Sequence, residues 1–178
     1  MIQALLLMSH YYPSMAEQKH TWIWVHQAIG LAQGAGLHRQ TDNPQARLWA
    51  RIWWACIVRD RLITLGTNRP MHINSADCNV EFLGLDDLHE DGDTENDALV
   101  KAMFIDLTKL CSVMEGSLSL TRLASERRGD GIDVCLRELR HWDACVTTAS
   151  QRGRCSDSAP GVGHIPHLYR ALLYLLRK

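Results

Sequence analysis

Apolar residues recur at helical spacing along most of this chain, and prolines and glycines interrupt them. Residues 1–12 place Ile2, Leu5, Leu6 and Tyr12 on one stripe before Pro13 stops the pattern. Ser14 to Gln33 reads as a second helix, with Ser14 and Glu17 at capping-box spacing and Gly34 and Gly36 offering a left-handed stop. A third helix is expected to start near Pro44, behind Asp42 and Asn43, and to run to about Gly66. Residues 67–83 contain Pro70 and β-branched residues without a helical period, so they read as an extended, partly buried loop. A long helix to Arg128 follows, its apolar side formed by Met103, Leu107, Leu110, Met114 and Leu118. Gly129-Asp130-Gly131 reads as a turn, and residues 132–149 as a helix with Leu136, Leu139 and Trp142 on one side. His164–Lys178 closes the chain as an apolar helix. No strand pair is apparent, and the predicted class is all-α.

At 178 residues the chain fits one domain, 1–178, with an acidic linker at 84–97 and a flexible linker at 150–163. Both ends read as cut, because the first helix has no lead-in and the last is still apolar when the chain stops. The net charge of −1 is unevenly distributed: residues 84–98 carry seven acidic groups and no Lys or Arg. Without a dense basic stripe there is no electrostatic case for direct nucleic-acid binding by this chain. The six cysteines, Cys56, Cys78, Cys111, Cys135, Cys145 and Cys155, form no C-x-x-C pair and follow no signal peptide, so they read as reduced, mostly buried thiols. The longest apolar runs are too short to cross a membrane.

The third helix carries an unusual combination, RIWWACIVRDRLITLGTNRP over residues 51–70. At about 100° per residue, Asp60 points within roughly 20° of Trp53. It is therefore aimed at the core, where an unpaired carboxylate is strongly disfavoured. Arg69 is the expected partner, with Arg61 and Arg59 behind it. A ligand-anchoring or catalytic carboxylate is the alternative, but no second acid, base or nucleophile stands near it in the sequence. The favoured reading is an ion pair that fastens the 67–80 loop to the helix.

These residues resemble the fungal-specific transcription factor domain, also called the middle homology or xylanolytic-activator regulatory domain of binuclear zinc-cluster regulators. One block is Ala28-Ile29-Gly30-Leu31-Ala32-Gln33 followed by Gly36-Leu37-His38-Arg39. A second is Arg51-Ile52-Trp53-Trp54, then Asp60-Arg61, Gly66, Arg69 and Pro70, continued by Ile73, Asp77, Cys78 and Val80. A weaker third block runs from His167-Leu168-Tyr169 to Leu176-Arg177. The resemblance implies a helical-array regulatory domain whose motif residues are structural: Gly36, Leu37, His38, Trp53, Trp54, Asp60, Arg61, Gly66, Arg69 and Pro70. It also implies a nuclear protein that regulates transcription. Its DNA-reading module would hold zinc in two close cysteine clusters, a spacing absent here, so no cofactor is expected in this chain. The implied partners are that module and the transcription machinery, with room for a homodimer and a small-molecule effector.

Other patterns carry less. Asp87, Asp91, Gly92 and Asp93 partly match a calcium loop, but His89 and Ala98 occupy ligand positions, and a solvated linker is the better reading. His164 and His167 lack a third metal ligand nearby, and Arg122, Arg127 and Arg128 form a small basic patch near a helix end. No G-x-S-x-G, H-E-x-x-H, phosphate loop or Cys/His arrangement supports an enzyme. The runner-up function is a small-molecule receptor with a pocket among Trp22, Trp24 and Trp53, against a scaffold with a filled core.

Overall fold

The computed structural model describes residues 1–11, 18–120 and 129–152. Among them are six helices and no strand, so the all-α class stands. By compactness the chain divides into two units, Met1–Thr108 and Lys109–Lys178.

In the first unit, α1 (Ile2–Met8) is shorter than its apolar pattern predicts. The Ser9 hydroxyl donates to the Leu6 carbonyl at 2.6 Å. A continued helix would need the amide of residue 13 to reach the Ser9 carbonyl, and Pro13 has no N–H to give. Arg59 fills the gap: its Nε donates to Ser9 Oγ at 2.8 Å and its Nη2 to the Ser9 carbonyl.

Helix α2 (Gln18–Gly34) buries Val25, Ala28, Ile29 and Ala32, a stripe of helical period. The predicted capping residues Ser14 and Glu17 lie outside the described residues. Its C-terminus is a Schellman motif. Gly36 takes φ +82°, its N–H donates to Gln33 O at 3.0 Å, and the Leu37 N–H returns to Ala32 O at 2.9 Å. Leu37 is buried beside this turn, so the Gly-Leu-His block encodes a stop followed by an anchor.

Helix α3 (Ala46–Thr67) begins two residues after the expected Pro44. Asn43 folds over the intervening turn, its Oδ1 accepting the Gln45 N–H at 2.8 Å and its carbonyl the Ala46 N–H at 2.8 Å. At the far end the left-handed position is Asn68 (φ 54°), and Gly66 lies inside the last turn. Trp53, Trp54 and every residue from Cys56 to Arg61 are buried. Such a helix is covered on nearly all sides, and α1, α2 and the four-residue α4 (Leu85–Leu88) all pack on it.

The acidic stretch is more ordered than a solvated linker. Asp87 Oδ2 accepts the Gly84 N–H, Asp93 Oδ2 the Glu90 N–H, and Asp97 Oδ2 the Thr94 N–H, all at 2.8–2.9 Å. Each carboxylate thus closes on the amide three residues back. The last pair is a capping box at the start of α5 (Glu95–Leu120). Arg51 ties the stretch to α3 by donating to Asp87 O at 2.5 Å, Glu90 Oε1 at 2.9 Å and His89 O at 3.3 Å.

The second unit contains the C-terminal part of α5 and α6 (Gly129–Arg152). Leu110, Met114 and Leu118 are buried as predicted, and so are Leu139 and Trp142. Cys135, rather than Leu136, completes the inner stripe of α6. Its Sγ lies 3.2 Å from where a Cβ on Gly116 would sit, so this glycine permits the close approach of the thiol. Gly129-Asp130-Gly131 belongs to the first turn of α6, not to a free turn, and the helix reaches into the expected 150–163 linker. Glycine is tolerated at a helix start because the first amides lack intrahelical partners in any case. Arg122, Arg127, Arg128, His164, His167 and the third sequence block lie outside the described residues.

Candidate functional site

The most highly organised polar site is centred on Asp60, which is 1% exposed, and Arg61, which is fully buried. Helical spacing aims Asp60 inward, and the chain returns after Asn68 to lay residues 69–73 over it. Asp60 receives four donors. The His72 amide lies 3.1 Å from both carboxylate oxygens, and the Ile73 amide donates to Oδ2 at 3.1 Å. His72 Nδ1 lies 2.9 Å from Oδ1, and Arg61 Nη1 donates to Oδ2 at 2.7 Å. Arg61 Nη1 also donates to the Ile73 carbonyl at 3.1 Å. One carboxylate and one guanidinium therefore hold both backbone polar groups of Ile73, itself buried, against α3.

Arg61, second in the sequence expectation, supplies the ion pair. Arg69, the expected partner, instead lies with its guanidinium 5.3 Å from the Trp22 ring centre, a cation–π distance. Arg59 serves Ser9, as described. Pro70 is exposed on the loop. The histidine was missed: its ring sits 4.6 Å from Trp22 and 4.5 Å from His26, and Trp22 stacks on His26 at 5.8 Å. The four-residue spacing of Trp22 and His26 places them on one helix face and is legible in the sequence. The arrival of His72 from a loop without a period is not.

The remaining motif residues extend this architecture. Trp53 is fully buried and faces the His38 ring at 5.8 Å. Trp54 Nε1 donates to the Glu81 carbonyl at 2.8 Å and stacks on Phe82 at 4.6 Å. Trp53 is packed, the Trp22 ring is covered by histidines and Arg69, and Trp24 is half-buried on α2. A cleft of about 180 Å³ lies elsewhere in the first unit, floored by Leu37, Ala50 and Leu83.

The electrostatics favour structure over chemistry. Burial, with Asp60 adding to it, pushes the Cys56 thiol up to about 12, so it stays a thiol at neutral pH. Burial also raises Cys135. Desolvation and the Arg59 charge hold His10 below the usual histidine range. Cys56, Cys78, Cys111 and Cys135 form no disulfide, and no group of three metal-ligating side chains occurs among the described residues.

Among the motif residues, Leu37 and Trp53 are buried, and Trp54, Asp60 and Arg61 are buried and hydrogen-bonded within the first unit. The model of the family described as fungal specific transcription factor domain matches residues 1–138. The chain belongs to that family. Its sequence is 45% identical to a transcription factor of Fusarium pseudograminearum over 92 residues, 49% of this chain and 10% of that protein. It is 36% identical to cutinase transcription factor 1 alpha of Fusarium vanettenii over 64% of this chain and 14% of the relative. An acetamidase regulatory protein of Aspergillus oryzae aligns with the whole chain at 28% identity, over 24% of its own length. This fungal specific transcription factor domain thus spans 10% to 24% of these curated relatives. No solved structure matches it. These relatives are named as transcription factors and a regulatory protein, and no helix among the described residues is long and apolar enough to cross a membrane.

Proposed function

We propose that this domain is the regulatory body of a nuclear zinc-cluster transcription factor, a helical scaffold that modulates a DNA-binding module lying outside this chain. The Asp60 site carries the reading. Its carboxylate is buried and committed to four donors within the chain, so it is neither open to substrate nor poised as a base. The domain is on this reading no enzyme. Zinc and DNA would be held by the other module, because the described cysteines are dispersed and mostly buried. A rigid latch between α3 and the 69–73 loop gives the domain a defined surface on which that module and the transcription machinery act.

The test is a reporter assay in a fungal host. The whole chain is fused to a heterologous DNA-binding module that already drives measurable transcription. The domain is expected to change reporter output severalfold at equal protein level, and Asp60→Asn to cancel that change. Output that is the same with and without the domain overturns the proposal.

A further inference from the structure

We draw no further inference here: the strongest candidate, the side-chain cluster of Trp22, His26 and His72 beside Asp60, belongs to the site already described, and its two imidazoles have no third metal-ligating side chain with them among the described residues.

Discussion

Two segments are fastened to α3, one buried and one exposed, and they are held in opposite ways. Residues 69–73 are gripped at one point, where a carboxylate and a guanidinium shut off from water collect backbone amides and a carbonyl. Residues 84–97 are held by dispersed contacts nearer solvent: two arginines, one lysine and three carboxylates closing on their own chain. In the buried case the partners have no water to fall back on, so removing one leaves an uncompensated charge. In the exposed case water replaces whatever is lost. The largest effect should therefore come from Asp60. Asp60→Ala strands Arg61 in the core and should cost about 3–5 kcal/mol, lowering the thermal midpoint by many degrees. A melting temperature equal to that of the unmodified protein would remove the contrast altogether.

Arg51 tests the exposed side. With Arg47, whose Nε lies 3.9 Å from Asp87 Oδ1, it links α3 to the acidic stretch, and its side chain is 25% exposed, while Glu90, its ionic partner, is 67% exposed. The Glu90 pair contributes little for that reason, and the bonds to two backbone carbonyls dominate. Arg51→Ala should cost about 1–2 kcal/mol. Amide hydrogen exchange should speed up in residues 85–90 and not in residues 72–73. Equal acceleration in both would show that the two fastenings are coupled, which the separate contacts do not predict.

Much of this was readable before the fold was known. Helical period placed Asp60 on the core side, and the pairing of apolar surface with charge required a fastening. Gly36, Leu37 and His38 announced a stop, and the structure shows a Schellman turn there. The choice between Arg61 and Arg69 was not readable. Adjacent positions on a helix point about 100° apart, so Arg61 looks badly placed beside Asp60 until its long side chain folds back under the loop. His72 was invisible for a related reason: a loop has no period to predict where its side chains arrive. The acidic stretch held a signal that charge obscured. Gly84 and Asp87, Glu90 and Asp93, and Thr94 and Asp97 share the three-residue spacing of a cap, whereas a dense run of like charge suggests only solvation.

A smaller effect is expected where backbone conformation, not burial, sets the cost. Gly36 holds φ +82° with open space around the position a Cβ would take. Gly36→Ala therefore meets no clash with neighbours and pays for the left-handed conformation, about 1 kcal/mol. The denaturant midpoint should fall with the slope unchanged. Gly66→Ala, inside the last turn of α3 and also in open space, should be neutral or stabilising. The same change at two family-motif glycines should thus differ in sign.

The smallest effect belongs to the carboxylates of the acidic stretch, and it is a matter of pH. Hydrogen bonding from Lys101, with help from the Glu90 amide, holds Asp93 below the usual aspartate range. The Thr94 hydroxyl and amide do the same for Asp97. A carboxylate whose folded value is depressed contributes stability that is present above its unfolded value and lost as pH falls through the folded one. Both contributions are thus intact at neutral pH and disappear only in acid, below the ordinary aspartate range. Asp93→Asn and Asp97→Asn should flatten the acid limb of the stability curve slightly, and added salt should shrink the difference further. Asp60→Ala should lower the whole curve, and salt should change that loss little because its ion pair is shut off from solvent. If salt rescued Asp60→Ala as readily as the exposed pair, the fastening of the 69–73 loop would be as solvated as that of the acidic stretch.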